Sequence, residues 1–256
     1  MDKNFVKSCL NLQAVLPALG ELAAADERAK TLAAGAKGSV NLALMNGPSV
    51  VLDFDGAGSV AFEEKTTLTP SVGMFFPTAA YLNRMFDGEK VVPVLWMGIW
   101  RLKLIKTFAG LADYMGSILK DPDAYLTAHP EEMDKVLSLL FGVATRAIVV
   151  LGRVDGHARS YLAAAPAGVV NFRVGEGADA LGVTLTVDRG AVTLKKGLAE
   201  NWNATLAIPD KKKAYELFRG RLDPMAAAAI GDVMMTGNLM TLDNINAILD
   251  LLATYL

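Results

Sequence analysis

The chain is poor in several things, and each scarcity closes off a class of function. It has one cysteine, two histidines and a net charge of −2 over 256 residues. A lone Cys9 excludes an internal disulfide framework and suits a reducing compartment, so the expected location is cytoplasmic. His129 and His157 stand apart, neither in a recognisable Cys, His or Glu ligand spacing, so no metal is expected. The near-neutral balance gives no reason to expect nucleic acid or an anionic membrane surface as a partner. Long apolar runs are scarce too. The N-terminal MDKNFVKSCLNLQ lacks the apolar core of a signal peptide. Val136–Leu151 is the most membrane-like stretch, but its 16 residues include Arg146 and fall short of the ~20 that a spanning helix needs. It reads as a buried helix, and no integral membrane segment is expected. No Ser or Cys sits in a nucleophile motif, and Gly175-x-Gly177 lacks the rest of a dinucleotide fingerprint. No catalytic residue and no cofactor are therefore expected, and the chain does not read as an enzyme.

What is abundant is apolar: 52% of residues are hydrophobic, enough for a substantial core. The sequence also repeats itself. Gly38-Ser39-Val40-Asn41-Leu42 stands beside Gly168-Val169-Val170-Asn171-Phe172 at an offset of 130, and Phe86-Asp87-Gly88 beside Phe218-Arg219-Gly220 at an offset of 132. Phe76-Pro77 pairs with Ile208-Pro209, Pro93 with Pro224, and Thr31–Ala34 with Tyr161–Ala164. Two copies of one domain are the simplest account, with domains at residues 1–120 and 121–256. The connector is Lys120–Pro130, rich in Asp, Pro and Ala.

The C-terminal quarter is the most informative. Ala204–Ile208 is a β-type run stopped by Pro209; Lys211–Phe218 is a short helix ended by Gly220; Pro224 opens a second short helix, closed by Gly231. Asp232–Thr236 reads as a strand ended by Gly237, and Leu242, Ile245, Leu249 and Leu252 stripe a last amphipathic helix. This order, carried by Phe218, Gly220, Pro224, Met225, Gly231 and Gly237, resembles the sterol carrier protein-2 family. The resemblance implies an α+β fold: two domains, each a mostly antiparallel five-stranded sheet covered by helices. The second copy is the better match and the first is divergent, with Lys106 where Gly237 stands. The resemblance also implies non-catalytic binding of a hydrophobic small molecule, such as a fatty acid, acyl-CoA or sterol, in an apolar cavity.

One-face alternation in the strands and three-to-four spacing in the last helix select the expected cavity wall: Phe172, Leu185, Leu206, Met225, Met235, Leu239, Ile245 and Leu249. The short residues Ala226–Ala229 are expected to leave the gap. In the first copy Val94–Met97 take the alanines' place, so its cavity is expected to be smaller or filled. Trp100, Leu102 and Leu104 alternate with Arg101 and Lys103 and predict a half-buried strand. Two alternatives stand beside the carrier reading. One is a protein-interaction module whose cavities are filled by side chains. The other is a phosphatase of the haloacid dehalogenase type, because Ser49–Gly56 presents Asp53 and Asp55 at the end of an apolar strand. Ala57 stands where that signature has Thr, and the repeat partner is a plain hairpin at Asp188-Arg189, so Asp55 and Gly56 read as turn residues.

Overall fold

The computed structural model describes residues 2–255, apart from the side chains of Ala178, Pro224 and Met225. The chain falls into two compact units, Met1–Leu139 and Leu140–Leu256.

Unit 1 opens with helices. α1 (Lys3–Leu10) runs on through a π-helical turn at Asn11–Val15, ahead of Pro17, which has no N–H to give. α2 (Ala18–Ala25) and α3 (Glu27–Ala33) follow. They are separate because Asp26 leaves helical geometry and caps α3, accepting the Ala29 N–H at 2.7 Å. The strands are β1 (Lys37–Leu44), β2 (Ser49–Asp55), β3 (Val60–Glu63), β4 (Val72–Phe76) and β5 (Val94–Met97). α4 (Ala79–Phe86) lies between the last two strands, capped by Thr78. α5 (Leu102–Leu119) and α6 (Pro122–Ala128) come next. The connector thus holds a helix of its own, begun by Pro122 at the first turn and capped by Asp121.

A single turn at Pro130–Glu132 leads into α7 (Met133–Val154), within which the boundary between the units falls. Counted from Pro130 to Val154 this helix has 25 residues, which is long and apolar enough to cross a membrane by length and composition. The window that meets this test is 67% buried inside the protein. That is how a core helix is accommodated.

Unit 2 continues with α8 (Gly156–Ala164), β6 (Gly168–Val174), β7 (Leu181–Asp188), β8 (Ala191–Lys196) and β9 (Ala204–Ile208). α9 (Lys211–Phe218), α10 (Pro224–Ala229), β10 (Met234–Gly237) and α11 (Leu239–Leu252) complete it. The last strand starts two residues later than the sequence predicts, and α11 is capped by Asn238, whose side chain accepts from the Thr241 N–H.

The two sheets have one topology. Unit 1 orders its strands β3-β2-β1-β4-β5, and unit 2, read the same way, β8-β7-β6-β9-β10. Each sheet is mixed. The central pairs β1/β4 and β6/β9 are parallel, and every other pair is antiparallel. Val40, Leu42 and Leu44 meet Val72, Met74 and Phe76 across the parallel pair of unit 1, all of them buried. α5 covers unit 1 with a buried stripe of Leu104, Phe108, Leu111, Met115 and Ile118.

The middle strands also share a buried asparagine at the same place, Asn41 and Asn171. Asn41 donates to Ser49 Oγ at 2.8 Å and to the Val50 carbonyl at 2.9 Å. Asn171 donates to the Ala199 carbonyl and accepts from the Thr184 hydroxyl and the Ala199 N–H. A buried amide left unpaired is expensive, and both are satisfied with different partners.

Two predicted features of unit 1 need correction. Trp100–Leu104 is not a strand: the 3.6-residue period from Leu104 to Ile118 governs that stretch, and α5 starts at Leu102. Nor does Val94–Met97 replace the alanine helix. It is the edge strand β5, and unit 1 has no counterpart of α10 in its described residues. The glycine that ends the edge strand is present after all, as Gly98 rather than at Lys106. Gly98 (φ +77) and Gly237 (φ +85) end β5 and β10, and a Cβ on them would strike the Ser71 and Asn203 carbonyl oxygens respectively.

Candidate functional site

Unit 2 encloses a cavity of about 40 Å³ between its sheet and three helices. Each wall follows from local sequence. Strand alternation aims Phe172 and Val174 of β6, and Leu206 and Ile208 of β9, at one side of the sheet. Met235 of β10 is registered with Leu206 and joins them, with Val233 just before the strand. Alternation turns Arg173, which also borders the cavity along β6, to the opposite face. α7 supplies Phe141, Ala144, Thr145 and Ile148, spaced for one helical face. α9 ends against the cavity with Leu217 and Phe218, and the Phe218 ring meets Phe141 edge-on at 6.2 Å. α11 contributes Asn246 and Leu249.

The wall is almost wholly apolar. The Thr145 hydroxyl donates to the Phe141 carbonyl at 2.8 Å, a bond within its own helix that leaves little polarity facing inward. Lys213 of α9 pairs with Asp232 at 3.0 Å and ties that helix to the segment just before β10. The bond to Asp232 raises the Lys213 pKa above its ordinary value.

Of the residues selected from sequence, Phe172, Leu206, Met235 and Leu249 lie together on this wall. Leu185 is fully buried in β7 without bordering the cavity, Ile245 is buried on α11 one turn before Leu249, and Leu239 at the start of α11 is 60% exposed. The Met225 side chain lies outside the described residues. No α10 alanine borders the cavity. The small residue that leaves the space is Ala144, on α7. Sequence reading missed the α7 contribution because that helix is apolar nearly all round, which hides the face that meets the sheet.

Unit 1 holds a cluster of titratable side chains. Lys135, at the start of α7, forms ion pairs with Asp26 and with Glu132, the latter at 2.6 Å. The Tyr125 hydroxyl donates to Glu132, and the Tyr114 hydroxyl donates to Asp26 at 3.1 Å. Arg28 stacks over the Tyr114 ring at 4.4 Å. Burial raises the Asp26 pKa, but bonds from Lys135, Ala29 and Tyr114 outweigh it and hold the carboxyl below its ordinary 3.8. Burial likewise raises Glu132, and its bonds to Lys135 and Tyr125 bring it below 4.5. Lys135 goes the other way, its two carboxylate partners overcoming burial to raise its pKa. With Lys135 tied to both carboxylates and each carboxylate also accepting from a tyrosine, the group reads as a structural clasp.

His129 does have carboxylates beside it: ligand atoms of His129, Glu131 and Glu132 lie within 4.8 Å of one another. Glu132, however, is already committed to Lys135 and Tyr125. Asp55 closes the β2–β3 hairpin by accepting the Ala57 and Ser59 N–H groups at 2.7 and 3.0 Å. β2 runs antiparallel to both its neighbours, and Lys65 stands 3.9 Å from Asp53. The two aspartates therefore sit in a hairpin, as the turn reading predicts.

Residues 150–250 match the model of the SCP-2 sterol transfer family. A search of curated proteins finds no match. Among solved structures, the chain is similar to the sterol carrier protein domain 2 of Helicoverpa armigera, with 16% identity over 43% of this chain and 85% of that one and a TM-score of 0.34. It is also similar to the apo form of sterol carrier protein 2 from Yarrowia lipolytica, with 16% identity, 42% and 88% coverage and a TM-score of 0.33. A stereoselective inverting sec-alkylsulfatase from Pseudomonas sp. matches at 18% identity over 43% of this chain but 16% of its own length, with a TM-score of 0.32.

Proposed function

We propose, from the match of residues 150–250 to the sterol transfer family, that unit 2 is a non-catalytic carrier for the apolar part of a lipid or similar molecule. The observation that carries this reading is the cavity on Phe172, Leu206, Met235 and Leu249, closed by α7, α9 and α11. A wall of this kind selects by shape and gains by transfer, at about 0.8 kcal/mol for each methylene taken from water. Its volume of about 40 Å³ has room for about three waters at 10–15 Å³ each, against roughly 300–1,000 Å³ for a typical ligand pocket. Loading an acyl chain or a sterol therefore requires the helical walls to part. The shared sheet topology, the paired asparagines and the paired glycines support reading unit 1 as a divergent copy of the same domain.

The test is uptake of a fluorescent fatty acid and a fluorescent sterol by delipidated full-length protein. Ala144→Leu places new carbons in the cavity. We expect at least a tenfold loss of uptake with an unchanged or higher melting temperature, since the substitution fills a void. Delipidated wild-type protein that takes up neither probe at micromolar concentration overturns the reading.

A further inference from the structure

The cavity leaves unexplained a stretch of unit 1 that is both apolar and exposed. From Val92 to Leu102 the chain runs through β5, the turn at Gly98 and the first residue of α5. Trp100 is 78% exposed, Leu102 59% and Ile99 58%; Val92, Val94 and Trp96 are exposed as well. Two of the chain's three tryptophans lie here. Exposed apolar residues that follow one another along a single strand and turn mark a contact surface rather than scattered surface hydrophobes.

Along the chain from Lys90 to Ala112 the charges are of one sign. Between Glu89 and Asp113 the sequence has no acidic residue, and its cations are Lys90, Arg101, Lys103 and Lys106, all exposed. The overall charge of −2 hides this segregation. The matching place in unit 2 also exposes Met234, Leu239 and Met240, yet it has no cation between Asp232 and Asp243. Trp202 is exposed next to Asn203, whose carbonyl accepts from the Asn238 N–H, so what unit 2 lacks between Asp232 and Asp243 is the run of cations.

β5 is an edge strand, which raises strand addition by a protein as a rival use. Two observations argue against it. The β4/β5 ladder shifts register between Gly73 and Met74, and a bulged edge is a poor template. The most exposed residues, Ile99, Trp100 and Leu102, also lie beyond the strand, where there is no edge to extend. Tryptophan is at home at the boundary between headgroups and acyl chains, and flanking Lys and Arg gain from anionic headgroups.

We infer that the Val92–Lys106 surface of unit 1 docks on an anionic lipid bilayer, with Ile99, Trp100 and Leu102 entering the headgroup boundary. The inference does not depend on unit 2 holding a ligand. The test is co-sedimentation of full-length protein with two kinds of vesicle, one of phosphatidylcholine alone and one of an equal mixture with phosphatidylglycerol. We expect binding to the mixed vesicles, weakened by salt, and at least tenfold weaker binding to the neutral ones. Trp100→Ser and Arg101→Glu should each lower binding to the mixed vesicles at least tenfold while far-ultraviolet circular dichroism and the melting temperature hold. Both positions are exposed, so the fold does not depend on them. Ala144→Leu should leave vesicle binding intact. Lipid brominated near the headgroup should quench wild-type fluorescence and quench Trp100→Ser less. No sedimentation with mixed vesicles overturns the inference. So does unchanged binding by both variants, or a concentration-dependent dimer without vesicle binding that Trp100→Ser converts to monomer.

Discussion

At the scale of single residues, the most consequential side chain outside the cavity is Lys135, which neutralises two carboxylates at once. Its side chain is 16% exposed and that of Asp26 8%, so removing the cation strands charge in a poorly solvated place. Lys135→Met should cost roughly 3 kcal/mol of stability near neutral pH. The pH dependence has a definite sign. Asp26 and Glu132 are held below their ordinary values of 3.8 and 4.5. Their contribution is therefore complete above those values and is lost as pH falls through the depressed ones. Urea denaturation of wild type and variant at neutral pH and at about pH 3 should show the gap between them narrowing in acid. A gap that widened in acid would contradict this account. None of the clasp is legible in the sequence, because Asp26, Tyr114, Tyr125, Glu132 and Lys135 come together only through helix packing. The cavity wall was partly legible. Phe172, Leu206 and Met235 follow from alternation in short strands, where the choice is between two faces. A helix offers several faces, and the stripe on α11 selected Ile245 and Leu239 along with Leu249.

Among elements, β5 shows where local pattern misleads. Trp100–Leu104 alternates over five residues, but an alternation that short is also a fragment of the helical stripe that continues to Ile118. The true strand lies just upstream. It was hidden because Pro93 invites alignment with Pro224, which opens a helix with no counterpart among the described residues of unit 1. The offset between the paired landmarks is 132 at Phe86 and Phe218, and 139 at Gly98 and Gly237. The stretch of unit 2 between those landmarks holds α10. A strand bounded by a turn residue was easier: Ala204–Ile208 forms as the sequence predicts, closed by proline. The edge strand's terminus is testable. Gly98→Ala adds a methyl group against the Ser71 carbonyl at φ +77, and should cost about 2 kcal/mol or more. Gly110→Ala in the interior of α5 has nothing within 4 Å, and should stabilise by roughly 0.5–1 kcal/mol. Equilibrium denaturation of the two variants should move in opposite directions; a shift of the same sign would refute the backbone argument.

For the whole molecule, two sheets of one topology carry different surfaces and fillings. Unit 1 concentrates tryptophan and positive charge around its edge strand, and unit 2 keeps a cavity bordered by Ala144. The mean charge was uninformative because segregation within one unit cancels in the sum. The cavity's size has a further consequence, for time rather than affinity. In the proposed carrier, a cavity this small means that a ligand arriving from solution meets a closed door. Entry must wait for α9, α11 or their neighbours to swing, and only the fraction of molecules caught open can accept cargo. In a stopped-flow experiment with rising concentrations of a fluorescent fatty acid, the observed loading rate should level off at the rate of opening. A rate that stays linear in probe concentration would show that the door stands open. In the proposed carrier, release likewise needs the walls to part, so the dwell time of a bound molecule is set by the opening rate of the loaded protein. Adding acceptor vesicles would not shorten that dwell.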